Sequence, residues 1–85
     1  MTAPVRVLLF ATARTAVNSS RIERKVPERG LPVRQFLDEL VRDYPALRPV
    51  TEVARFVRNG EYLLGTRGRI GPGDELAIHP PYSGG

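Results

Sequence analysis

The chain has 85 residues, no cysteine, one histidine (His79) and a formal net charge of +4. That length predicts one domain with a small core, and the composition excludes disulfides, thiolate metal sites, cysteine nucleophiles and a histidine metal cluster. No stretch approaches the roughly 18 apolar residues of a membrane span, and Met1-Thr2-Ala3-Pro4 carries no leader pattern, so a cytoplasmic protein is expected.

Residues 5–11 read as a first strand, with Val5, Val7, Leu9 and Ala11 on one face and Arg6, Leu8 and Phe10 on the other. Apolar residues on both faces predict a central position. Residues 12–20, with Asn18-Ser19-Ser20, read as a loop with room for one helical turn. Residues 21–27 read as an edge strand, Ile22 and Val26 inward and Arg21, Glu23 and Lys25 outward. Glu28-Arg29-Gly30 is a turn. Val33, Phe36, Leu37, Leu40, Val41 and Tyr44 then recur at helical spacing and form one stripe. Pro32 suits the first turn of that helix, and Pro45 stops it by restricting Tyr44. Residues 46–52 read as an irregular link. Residues 53–58 and Glu61 to Leu64 read as a hairpin around Asn59-Gly60, a pair that tolerates positive φ. Gly65 to Gly73 reads as loop, and residues 74–79 as a last strand with Leu76 and Ile78 facing the core.

The predicted order is ββαβββ, an α+β domain over residues 1–79. A single helix covers one face of a four- to five-stranded sheet. Val33, Phe36, Leu37 and Leu40 are expected to pack against Val7, Leu9, Ile22, Leu76 and Ile78. The other face is left to solvent or to a partner. Strand parity gathers Leu8, Phe10, Ala77 and Tyr62 there, with His79 at its end, and a contiguous apolar patch of that kind marks an interaction site.

The chain ends in Pro80-Pro81-Tyr82-Ser83-Gly84-Gly85. The proline pair favours extended backbone and continues neither a helix nor a central strand. Two glycines without side chains can enter a slot too narrow for other residues. Residues 80–85 therefore read as a flexible tail made for insertion into another protein's active site. Its charged surroundings are arginines spread along the chain, with Lys25 the only lysine. That dispersal argues against nucleic acid and for a solvated basic surface or one that meets an acidic partner.

Taken together, the leading Val7 to Ala11, the helix Val33 to Tyr44, Asn59-Gly60-Glu61-Tyr62, Gly73-Asp74-Glu75-Leu76-Ala77 and the Pro-Pro-x-Ser-Gly-Gly tail resemble the ubiquitin-like β-grasp sulfur carriers, and among them the small subunits of molybdopterin synthase. The chain departs from that pattern at Tyr82, where a small aliphatic residue is usual, and at His79, often apolar or aromatic.

The resemblance implies a β-grasp fold and a carrier that is no enzyme by itself and binds no metal or cofactor. Gly85 would be adenylated by a ubiquitin-activating-like partner that uses ATP and magnesium. A sulfur donor, such as a cysteine desulfurase or a rhodanese, would convert it to a thiocarboxylate. Gly84, Ser83, Tyr82, Pro81 and Pro80 would line up in the channel of the large synthase subunit, and Phe10, Tyr62 and His79 would meet the partner. Three alternatives stay open at this point. One is a carrier for thiamine, cysteine or transfer-RNA thiolation. Another is a protein modifier joined through Gly85, and the last is a β-grasp binding module with an incidental tail.

Overall fold

The computed structural model describes residues 3–81; the contacts and mobility expected of Tyr82, Ser83, Gly84 and Gly85 fall outside the described residues. β1 (Val5–Leu9) buries Val5, Val7 and Leu9 completely and leaves Arg6 and Leu8 half-buried. The strand stops two residues sooner than predicted because Ala11 has φ 51°, a left-handed conformation that ends an extended ladder. α1 (Ala11–Val17) replaces the predicted loop and packs Ala13 into the core. Its small residues carry no apolar stripe, which is why periodicity passes over it. Asn18, at φ 61°, caps it in the left-handed region, where asparagine is tolerated.

β2 (Arg21–Arg24) pairs antiparallel with β1 and is the expected charged edge. It ends at Arg24, short of the predicted Pro27. The next partner would be Pro4, which has no N–H to give the ladder. Val26 is still buried, and Ile22 packs against the core half-buried.

A second, two-stranded sheet joins β3 (Leu31–Pro32) to β6 (Arg69–Ile70). The sequence reading has that stretch of Gly65 to Gly73 as loop, yet Ile70 is fully buried. Strands of two residues are too short to show alternation. Gly30 makes the pairing possible: at φ +77°, a Cβ there would stand 2.6 Å from the Ile70 carbonyl oxygen. Arg69 reinforces the junction by donating from Nη2 to the carbonyls of Arg29 and Gly30.

α2 (Val33–Asp43) buries Val33, Phe36, Leu37, Leu40 and Val41, the predicted stripe. Pro32 stands immediately before it rather than inside its first turn. After Tyr44 the link is not irregular. Pro45–Leu47 forms a 3₁₀ turn, and α3 (Arg48–Thr51) follows, burying Leu47 and Val50. Pro49 falls in the first turn of α3, where a missing N–H costs nothing.

β4 (Arg55–Arg58) and β5 (Glu61–Tyr62) form the predicted hairpin, shorter at both outer ends. Asn59 and Gly60 take φ 50° and 86°, the conformation a two-residue turn requires. β7 (Glu75–His79) completes a five-stranded sheet in the order β2-β1-β7-β4-β5. β1 and β7 run parallel and every other neighbour antiparallel. One face, carrying Val5, Val7, Leu9, Phe56, Leu76 and Ile78, packs against the helices.

Arg24 ties the edge strand to the end of α2 through an ion pair and hydrogen bond with Asp43. That bond, together with the nearby charge of Arg42, holds the Asp43 carboxyl below its ordinary value against the opposing effect of desolvation. A carboxyl with a lowered folded pKa adds stability above its unfolded pKa and loses it as pH falls through the folded one. The domain should therefore weaken below about pH 4, and Asp43→Asn should flatten that limb of the profile. Urea midpoints measured from pH 6 down to pH 2.5 for both proteins check this; identical slopes would remove Asp43 from the acid response.

Candidate functional site

The face of the sheet away from the helices carries one transverse row. Register runs from Arg21 on β2 to Leu8, to Ala77, to Val57 and to Tyr62 on β5. Adjacent strands lie about 4.8 Å apart, so Leu8, Ala77, Val57 and Tyr62 make a continuous apolar stripe. Tyr62 is 69% exposed at the outer edge. Ala77 sits on this face as parity predicts, but it is buried: on the central strand its methyl is shielded by Leu8 and Val57, and it takes no part in the helix-side core. Val57 completes the row and was readable only through the turn. A two-residue loop at Asn59-Gly60 sets Arg58 opposite Glu61 and hence Val57 opposite Tyr62.

One flank of the stripe is ionic, with Arg6 paired to Glu75 and Arg21 to Glu23. The other is aromatic. Phe10 lies beyond the end of β1, yet its backbone is still extended (φ −121°, ψ 152°) and sends the ring along the parity expected of it. There it stacks on His79, centroids 4.5 Å apart and planes 9° from parallel. Phe10 stays 43% exposed and His79 half-buried. Phe10, Tyr62 and His79 are thus all on the open face, with Phe10 and His79 in contact and Tyr62 at the far edge of the stripe. Beside the Phe10–His79 stack, Leu8, Phe10, Arg14 and Arg21 line a hollow of about 340 Å³. The two arginines there were missed. Arg14 belongs to the unpredicted α1, and Arg21 was read only as an edge charge.

β7 carries this arrangement to its end, since Pro80 follows His79 directly and Pro81 is already exposed. The start of β7 is anchored by side chains. Asp74 accepts from the Gly71 N–H at 2.7 Å and from Asn59 Nδ2 at 3.0 Å. Asn59 Oδ1 in turn accepts from the Glu75 N–H at 2.9 Å. The turn residue therefore also fixes the strand that leads to the tail. Among the described residues no three His, Asp or Glu side chains are grouped to hold a metal, and no helix is long and apolar enough to cross a membrane.

A mixed sheet with parallel central strands, one principal helix gripped on one face, and a central strand that runs on into Pro80-Pro81 define a β-grasp domain. The chain belongs to the ThiS family, whose pattern it matches over residues 7–85. It is a β-grasp sulfur carrier by that membership. It is 38% identical over 81 residues to the molybdopterin synthase sulfur carrier subunit of Arabidopsis thaliana, covering 95% of this chain and 82% of that one. The protein so named in Mycobacterium tuberculosis is 30% identical, with 95% and 96% covered. Among solved structures, small archaeal modifier protein 1 from Haloferax volcanii superposes with a TM-score of 0.80 at 31% identity, covering 98% of this chain and all of that one.

Proposed function

We propose that this chain is the sulfur carrier subunit of a molybdopterin synthase and that Gly85 is the residue that bears the sulfur. The observation that supports it best is the likeness over 95% of the chain to carrier subunits of that name. The geometry agrees, because β7 runs past an open apolar face straight into Pro80-Pro81.

A carboxylate is a poor electrophile, so its oxygen must be made a leaving group before sulfur can replace it. An adenylating partner would do this with ATP and magnesium, the Gly85 carboxylate attacking the α-phosphorus and pyrophosphate leaving. The terminal sulfur of a persulfide donor then attacks the acyl carbon and AMP leaves. A second thiol breaks the S–S bond of the resulting acyl disulfide, releasing the thiocarboxylate and leaving the two thiols joined as a disulfide. The tail enters the large synthase subunit, where the sulfur is delivered to the pterin precursor. The carrier itself supplies no acid, base or metal ligand. Gly84 lets the backbone pass a narrow channel. Pro80 and Pro81 reduce the entropy lost when the tail becomes ordered, and Tyr82 and Ser83 supply packing and hydrogen bonds inside the partner. Intact mass of the protein isolated from its native host tests the reading: a terminal oxygen replaced by sulfur supports it, and a wholly unmodified population under molybdenum-cofactor demand counts against it.

The open face is the docking surface on this reading, with Phe10 and Tyr62 as its aromatic anchors and His79 where sheet becomes tail. Phe10→Ala should weaken binding to the large subunit by about 2 kcal/mol or more. Stability should change much less, because the ring is not in the helix-side core. Calorimetric titration and urea unfolding of the same variant separate the two. If the variant unfolds the domain while affinity per folded molecule is unchanged, Phe10 is not an anchor.

The likeness to small archaeal modifier protein 1 favours a second reading, conjugation of Gly85 to other proteins. Lysine-linked adducts of this chain in host lysate would support it, and their absence alongside thiocarboxylate would leave the carrier role alone.

A further inference from the structure

The cationic side chains are twelve arginines and one lysine; arginines are found at both ends of the sheet, the lysine at one only. At one end of the sheet β7 hands over to Pro80. Arg55 is there, paired with His79; Arg21 is there, since the neighbouring Ser20 carbonyl accepts from the Leu9 N–H. Arg14 shares the hollow beside Phe10 with Arg21. All three arginines are exposed. Lys25, also exposed, follows Arg24, which pairs with Val5 at the opposite end.

The inference rests on the reading that Gly85 passes through an activated acyl state. An amine close to such a group competes with sulfur for it. The amine nitrogen attacks the acyl carbon, a C–N bond forms, the C–O bond to phosphate breaks and AMP leaves with the electron pair. The nitrogen then sheds a proton to water. The product is an unactivated amide, and that carrier molecule can no longer accept sulfur. Tethering makes this competition serious, since groups joined by a short flexible chain meet at effective concentrations on the order of millimolar. A lysine, with pKa near 10.4, retains some free amine at neutral pH. A guanidinium does not, because its charge is delocalised and it stays protonated far above neutral pH.

Reach follows from chain geometry. From Pro80 to Gly85 the chain spans about 18 Å at full extension and a lysine side chain adds about 6 Å, whereas the Lys25 backbone lies about 25 Å away along and across the sheet, so that only a fully stretched tail and side chain would approach each other. Arg55 is one strand away and Arg21 is two, both within that radius. The remaining nitrogen nucleophile at this end, His79, is stacked under Phe10, and an acyl-imidazole would return to carboxylate by hydrolysis.

We propose that arginine in place of lysine around the tail exit determines which nucleophile receives the Gly85 acyl group. Arg14, Arg21 and Arg55 supply positive charge without an amine, and the one side-chain amine stands at the far end of the sheet from the tail exit. The test uses the full chain carrying a C-terminal mercaptoethanesulfonate thioester on Gly85, installed through an intein. No adenylating enzyme or sulfur donor enters it, so it stands apart from the host-mass test, where failure of the carrier reading would show.

In dilute solution at pH 8, Arg55→Lys and Arg21→Lys should lose thioester about ten-fold or more faster than the native chain. The rate should be independent of concentration, and peptide mapping should find Gly85 joined to the new lysine. Arg55→Gln and Lys25→Arg should decay at the native rate, by hydrolysis. Native-like decay of both lysine variants would overturn the proposal. Acceleration in Arg55→Gln would overturn it too, by making lost charge rather than a gained amine the cause. Slower decay in Lys25→Arg would show that Lys25 captures its own tail and would have the same consequence.

Discussion

Deleting Gly85, or blocking it with a C-terminal tag, is expected to abolish sulfur transfer completely and to leave the unfolding transition where it was. The two halves of that result have different physical origins. Chemistry at an acyl carbon needs the free carboxylate, and no side chain on the open face can substitute for it. The nearest carboxylate among the described residues of that face, Glu75, lies at the start of β7, four residues before His79, and is engaged with Arg6. A side-chain carboxylate presented on the pleat of a sheet cannot enter a narrow channel as a glycine terminus can. Folding, by contrast, draws on a core whose last member in sequence is Ile78. Residues beyond His79 contribute no buried apolar side chain among those described, and Pro81 is exposed. The assay pairs reconstituted molybdopterin formation with urea unfolding of the same preparations. Activity retained by a blocked terminus would remove the thiocarboxylate mechanism altogether. Activity lost together with the fold would show that the tail has a structural role that the core composition does not predict.

The elements differ in how openly the sequence declares them, and the difference is physical. α2 is announced by five buried residues at helical spacing, and the hairpin by Asn59-Gly60, because each signal is local and strong. The open face follows from parity alone once a single long helix is assigned, and Leu8, Ala77 and Tyr62 lie on it as parity predicts. α1 was hidden because its residues are small or polar, and it is held by tertiary contact at Ala13 rather than by its own stripe. The pairing of β3 with β6 was hidden for a related reason: Leu31 and Ile70 are 39 positions apart, and two-residue strands have no period to read. What the sequence could not express at the site was proximity across elements. Phe10 and His79 lie at opposite ends of the chain, and only the parallel pairing of β1 with β7 brings their rings together.

The strongest effect on stability is expected at the centre of the helical stripe. Leu40 is fully buried, one helical turn beyond Phe36, which is also fully buried, and it belongs to the cluster shared with Val7, Leu76 and Ile78. Leu40→Ala deletes three carbon atoms from a site that helix and sheet enclose together. The loss combines the transfer free energy of those atoms with the cavity they leave, about 2–5 kcal/mol. A domain of this size has a total stability on the order of 4–13 kcal/mol, so a single substitution removes a large part of it. The thermal midpoint should fall by at least about 8 °C, given 4–8 °C per kcal/mol for domains of this length. Val53→Ala serves as the contrast. Val53 is 60% exposed, outside the cluster, and its truncation should stay within about 0.5 kcal/mol. Binding to the partner, measured per folded molecule, should be untouched in Leu40→Ala, because Leu40 lies in the helix-side core and not on the open face. Urea titrations at constant slope decide the matter: a near-zero cost at Leu40 would mean that α2 does not pack its stripe against the sheet, and the assignment of the open face, which depends on that packing, would fall with it.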